Sequence, residues 1–249
     1  MSGHSKWSTI KHKKAAADAK RGKVFTSLAK EITVAAREGG GDLSVNIRLR
    51  LVVDKAKAAN MPKDNIDRAI KRGTGELEGG ALEEIVYEAY APHGIGVIIE
   101  VVTDNRNRVI AALRHTFNKQ GGNMADAGAV IWQFARKGYI SLSDSIDEDE
   151  LFLVAADAGA EDVSFEDGLA EVYTEIEELQ GVRSALEDAG YNPKEISLIF
   201  VPNSTLELNS SEALQVLKLI EILEDLDDVQ NVYTNLEITD EAIAALEVV

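Results

Sequence analysis

The chain contains no cysteine among its 249 residues, which excludes a disulfide framework, a thiolate metal site and a cysteine nucleophile. It has no apolar run near the roughly 18 residues that a membrane-spanning helix needs. Its opening, Met1-Ser-Gly-His-Ser-Lys-Trp, lacks the apolar stretch of a secretory signal, so a cytoplasmic protein without a membrane partner is expected. Catalytic signatures are missing too. The four histidines, His4, His12, His93 and His115, form no HExxH pair, and neither a GxSxG elbow nor a GxxxxGK[ST] phosphate loop occurs. Gly73-Thr-Gly75 follows a helical pattern and lacks the third glycine of a dinucleotide loop. Carboxylate pairs abound, but a chain this acidic supplies them by chance, so neither an enzyme nor a cofactor is expected. Ser2-Gly3-His4 has the donor order of a square-planar Cu(II) or Ni(II) site if Met1 is removed, and no biological metal role is expected of it.

Positive charge is scarce in one half and concentrated in the other. The net charge is −17, yet residues 1–75 hold 17 Lys/Arg against 7 Asp/Glu, a net of +10. Residues 76–140 carry −2, and residues 141–249, with 3 cations against 28 acids, carry −25. Such a gradient lets one end attract a polyanion while the other is repelled, which orients the chain on a charged partner. Solvation of both ends, or pairing between them, is the alternative.

The 45% hydrophobic content is enough for a buried core, and the length allows one to three domains. From Asp18 to Arg37, Phe25, Leu28, Ile32 and Ala35 recur at helical steps, and Gly39-Gly40-Gly41 stops the helix. Leu49, Val52, Val53 and Ala56 mark a second helix, and Pro62 opens a third carrying Ile66 and Ile70. After Gly79-Gly80 the period changes to two. Ile85, Tyr87 and Ala89 alternate before the turn Ala91–Gly94, and the β-branched run Val97–Val102 reads as a strand covered on both faces. Asp104-Asn105 cap a helix with Val109, Leu113 and Phe117 on one side, ending at Gly121-Gly122.

A strand over Tyr139–Ser143, a helix around Leu151, a hairpin through Val163–Phe165 and Leu169–Thr174, a helix over Leu179–Ala189 and a strand over Ile196–Val201 follow. That βαββαβ order is the ferredoxin-like one. A helix over Ser210–Leu226, a strand over Val229–Leu236 in need of a sheet, and a short terminal helix complete an α+β multidomain chain: an N-terminal helical bundle and two α/β sandwich domains. The expected domains are residues 1–75, basic and helical; residues 76–135 with 204–249, discontinuous and α/β; and residues 136–203, acidic and ferredoxin-like.

The densest chemical signal is Lys6-Trp7, Lys11-His12-Lys13-Lys14, and Lys20-Arg21-Gly-Lys23. Cations gathered where a helix begins oppose its dipole, which suggests an anionic ligand; phosphates with a base stacked on Trp7 would suit. Lysines alone convey no base specificity. Arg48 and Arg50, with Lys55, Lys57, Arg68, Lys71 and Arg72, form a second group, for which phosphate contact and simple solubility weigh equally. Arg106 and Arg108 stand at a strand-to-helix junction, where they either pair with a carboxylate of the acidic region or hold phosphate; base rates favour internal pairing slightly.

Together Met1–Trp7, Lys11-His-Lys-Lys, Asp18-Ala-Lys-Arg-Gly-Lys23, Asn60-Met-Pro, Arg68-Ala-Ile-Lys-Arg-Gly73, Asp104-Asn-Arg-Asn-Arg108 and Gly121-Gly-Asn123 resemble the YebC/PmpR family, over essentially the whole chain. The family includes the mitochondrial translational activator of cytochrome c oxidase subunit one. The resemblance implies three domains with the third inserted in the second, so that the strand near Val232 rejoins the sheet begun near Ile85. It also implies a regulator that binds DNA, or one that acts in translation on the ribosome or messenger RNA, including relief of stalling at proline-rich stretches. Phosphate contact through Lys6, Trp7, Lys11, His12, Lys13, Lys14, Lys20, Arg21, Lys23, Arg48, Arg50, Arg106 and Arg108 rests on the charge argument. A third class, an adaptor whose acidic half engages basic proteins, also fits the charge asymmetry.

Overall fold

A computed structural model describes residues 17–78, 80–143, 146–166, 168–239 and 241–242, with side chains from residue 22 onward. The described residues form two compact units, Phe134–Asn203 and the residues on either side of that segment.

The flanking unit begins with three helices: α1 (Ala17–Gly39), α2 (Ile47–Ala58) and α3 (Lys63–Gly73). The predicted apolar faces meet. Leu28, Ile32, Ala35 and Ala36 of α1 pack with Leu49, Val53 and Ala56 of α2 and with Ile66 and Ala69 of α3, while Phe25, Val52 and Ile70 close the edge half-buried. α1 stops where expected, because Gly40 turns the backbone to φ +80°. Pro62 takes the residue before α3 instead of its first turn, still using its fixed φ to launch the helix. Gly73 has a different duty. A Cβ there would lie 2.7 Å from the Ala36 Cβ, so the absence of a side chain allows α3 to cross α1 closely.

A four-stranded antiparallel sheet follows in the same unit, in the order β3-β1-β2-β8, from β1 (Glu83–Tyr90), β2 (Gly96–Thr103), β3 (Asn123–Met124) and β8 (Val229–Thr234). All eight residues of β2 are buried, in keeping with its β-branched run, and the one acid within it, Glu100, accepts from the Asn231 amide at 2.8 Å and the Tyr233 hydroxyl at 3.1 Å. Val97, Ile99 and Val101 face α4 (Arg106–Gln120) and α7 (Ser210–Glu224), meeting Val109, Leu113 and Phe117 from one and Val216, Leu217 and Ile220 from the other. α4 is capped by Asn105, whose Oδ1 accepts from the Arg108 N–H at 3.0 Å, and it ends at Gly121 with φ +82°. α7 carries a reciprocal capping box between Asn209 and Glu212. The strand that needed a sheet finds one, since β8 pairs with β2 from Val97↔Thr234 onward. It ends at Thr234, short of the expected Leu236, which forms an isolated bridge with Leu206. Of the expected terminal helix only residues 241–242 are described, and these are helical.

The second unit contains β4 (Phe134–Leu142), α5 (Glu148–Asp157), β5 (Ala160–Glu166), β6 (Leu169–Thr174), α6 (Leu179–Asp188) and β7 (Glu195–Pro202). Its sheet order, β5-β6-β4-β7 and antiparallel throughout, is the ferredoxin-like arrangement. β4 starts five residues before the expected Tyr139. Arg136 and Lys137 hide the alternation, yet both are accommodated: the Arg136 guanidinium stacks 4.4 Å over the Phe200 ring, and Lys137 bonds Glu161 and Glu175. Buried Glu171 is satisfied by the hydroxyls of Tyr139 and Tyr173, each donating at 2.9 Å.

Candidate nucleic-acid interface

One side chain that charge reasoning passes over ties the first two helices of this segment together. Asn46, almost fully buried, caps α2 by accepting from the Leu49 N–H at 3.0 Å. Its amide donates to the carbonyls of Ala35 and Gly40, both at 2.8 Å, and so satisfies two carbonyls at the end of α1. This fixes α1 against α2, and with them the cations each helix carries.

Lys6, Trp7, Lys11, His12, Lys13 and Lys14 lie outside the described residues, as does Ser2-Gly3-His4. The backbone of Lys20 and Arg21 belongs to α1, and their side chains also lie outside what is described. The remaining predicted cations divide by partner. Arg48 is committed internally, donating to Glu38 at 2.6 Å and to both oxygens of Glu84 at 2.6 and 2.7 Å. Desolvation tends to lower the Arg48 pKa, but the bonds and charges of Glu84 and Glu38 raise it on balance. Arg50 donates to the carbonyls of Leu43 and Ser44, pinning the α1–α2 loop. Arg106 is exposed and has no ion-pair partner among the described residues.

Arg108 meets the first of the two expectations set for it. Its guanidinium donates to Asp228 at 2.8 Å and to Asp104 at 2.9 Å, while half of the side chain remains exposed. The side-chain bonds of Asp228 and Asp104 raise its pKa. Asp228 is the centre of this arrangement: its Oδ2 takes Arg108 and its Oδ1 takes Lys30 at 2.7 Å. Desolvation pushes the Asp228 pKa up, but the bonds from Lys30 and Arg108 outweigh it and the carboxyl is held below its ordinary value.

These groups line a cleft of about 750 Å³ formed by Lys23, Thr26 and Lys30 of α1, Arg108 and its neighbours on α4, and Leu226, Asp227 and Asp228 before β8. Lys23 and Lys30 are seven residues apart, two helical turns, and therefore share a face. Lys23 donates to the Glu224 carbonyl at 2.6 Å and lies 3.5 Å from the Asp225 carboxylate. Lys30 was not among the sequence candidates; its step from Lys23 was the signal available.

A second cationic surface keeps its charges open. Arg37, Arg68, Lys71 and Arg72 are exposed, with no ion-pair partner among the described residues. Arg37 and Arg72 flank the close crossing of α1 and α3, where a Cβ on Gly73 would stand 3.2 Å from the Arg37 backbone nitrogen. No helix among the described residues is long and apolar enough to cross a membrane.

Two family models match the chain. Residues 5–76 match the TACO1/YebC protein N-terminal domain, and residues 82–236 match the TACO1/YebC second and third domain. A probable transcriptional regulatory protein of Geobacter sulfurreducens is 55% identical over 246 residues, covering 99% of this chain and 100% of the relative. One from Acidithiobacillus ferrooxidans is 55% identical over 247 residues, covering 99% of each. The crystal structure of a conserved hypothetical protein from Aquifex aeolicus superposes with a TM-score of 0.86 at 46% identity, covering 93% of this chain and 96% of that one.

Proposed function

From the premise that the chain belongs to the TACO1/YebC family, we propose that it is a non-enzymatic, cytoplasmic, nucleic-acid-binding regulator. Duplex DNA is its first target class and transcription its setting, in keeping with the names of its relatives. In this reading residues 1–75 are the phosphate-contacting domain. Residues 76–135 with 204–249 form a discontinuous α/β domain, and residues 136–203 an acidic domain that the polyanion repels. The observation that carries the reading is the segregation of charge, +10 in residues 1–75 against −25 in residues 141–249. The exposed cations of α1 and α3 supply the described part of that surface. Counterion release from the phosphates would drive binding and make it strongly salt-dependent.

A second reading, a translation factor docked on ribosomal or messenger RNA, uses the same electrostatics. It needs only backbone and shape contacts, which the candidate lysines and arginines can make without reading base edges. Crosslinking the intact protein in cells and sequencing the attached nucleic acid separates the two. Discrete promoter fragments support the transcriptional reading, ribosomal or messenger fragments the translational one, and recovery of no nucleic acid refutes both.

A further inference from the structure

Lys23 and Lys30 belong to α1, the helix on which the proposed phosphate contacts begin, yet their ammonium groups are turned onto a loop of opposite charge. The turn between α7 and β8 reads Glu224-Asp-Leu-Asp-Asp228. Lys23 reaches the Glu224 carbonyl and the Asp225 carboxylate; Lys30 reaches the Asp227 carbonyl and the Asp228 carboxylate. Between them on the same face, the Ser27 hydroxyl donates to Gln230, the second residue of β8. Arg108 completes the set by holding the other oxygen of Asp228.

A carboxylate whose two oxygens are each taken by a different cation presents the charge and acceptor pattern of a backbone phosphate. Arg108 is half exposed and the cleft is open to solvent, so the cations can be approached by an external anion. We propose that the Glu224–Asp228 turn is a built-in competitor: it occupies Lys23, Lys30 and Arg108 in the free protein and yields them when a nucleic-acid backbone arrives. This rests on the phosphate-contacting reading of the helical segment. Displacement uncouples α1 from the turn before β8, so polyanion binding and the attachment of the helices to this turn are linked. Any anion that binds the cations at the expense of the turn loosens that attachment.

The test uses the full chain with two labelled probes, a duplex DNA and a single-stranded RNA each about 20 nucleotides per strand, titrated across a salt series. Asp228→Asn keeps the shape and removes the charge. Its affinity should rise about three- to tenfold at low salt, the worth of two charge contacts to a carboxylate at the edge of an open cleft. The salt slope should steepen by about 0.7 to 0.9 for each added phosphate contact. Asp225→Asn, an exposed change that leaves the buried pair intact, should give a smaller rise through Lys23 and keeps the test valid if Asp228→Asn unfolds. Glu207→Gln alters net charge equally at an exposed site outside the turn and should give no rise. In a Lys30→Ala, Arg108→Ala background the gain from Asp228→Asn should vanish. Unchanged affinity in both turn variants, or an equal rise in Glu207→Gln, overturns the competitor while leaving the nucleic-acid reading standing. Failure of wild type and variants alike to bind either probe overturns both.

Discussion

Replacing Asn46 tests whether one buried amide holds the helical segment together. Asn46→Ala removes the α2 cap, at about 0.5–2 kcal/mol, together with two hydrogen bonds to the Ala35 and Gly40 carbonyls, at about 0.5–1.5 kcal/mol each. Because the site is almost closed to water, little solvation replaces them, and the expected loss is about 2–4 kcal/mol for the helical segment. Asn46→Asp separates the two roles. Aspartate caps a helix as well as asparagine does, but here it places a carboxylate oxygen where the amide donated to two carbonyls. If capping were the whole function, Asp would be neutral; if bridging matters, it costs at least as much as Ala. Amide hydrogen exchange on the intact chain reads the difference directly, because peptides from α1–α3 should lose protection while those from β4–β7 keep theirs. A loss below about 1 kcal/mol for Ala, or a neutral Asp, would refute the reasoning.

Gly73→Ala should destabilise the same helices by about 1–3 kcal/mol, because the new methyl meets the Ala36 side chain and the Thr33 carbonyl at a packed crossing; a denaturant midpoint equal to wild type would contradict the packing. Glu88 is buried and accepts from the N–H groups of Gly128, Val130 and Ile131 at 2.6–2.8 Å. Desolvation raises its pKa, but these three donors outweigh it and the net shift is downward. Its stabilisation is therefore complete above the unfolded glutamate value of about 4.3 and is lost as pH falls through the lower folded value. Glu88→Gln should be less stable than wild type at neutral pH, with the gap closing below about pH 4; a gap independent of pH sinks the assignment. Reversing Lys11, Lys13 and Lys14 to Glu should weaken polyanion binding and reduce the salt slope by up to about 0.9 per lost phosphate contact. An unchanged slope would show that these lysines do not touch phosphate.

The elements were legible in the sequence because they depend on local periodicity. The 3.6-residue spacing of Leu28, Ile32 and Ala35, the glycine stops, the β-branched run of β2 and the βαββαβ order all follow from short-range patterning and recur in the fold. Where that pattern was interrupted, as at Arg136-Lys137 in β4, the reading began too late, because a cation with a cross-strand partner looks like a loop residue until the partner is known. The charge gradient was equally plain, being a count along the chain.

What composition and spacing could not decide was which charges are already spent on one another. Lys30 and Asp228 are separated by 198 positions and Arg48 and Glu84 by 36, and only folding brings either pair together. Asn46 looked like an ordinary loop polar residue, and its two donated bonds exist only because α1 ends beside α2. Where helices and strands form, and which end of the chain is cationic, can be read before folding, since both are properties of neighbouring residues. Which cations of that end face an internal carboxylate, and which remain open to a partner, emerges only on folding, because an ion pair is set by distance in space and carries no mark in the order of the residues.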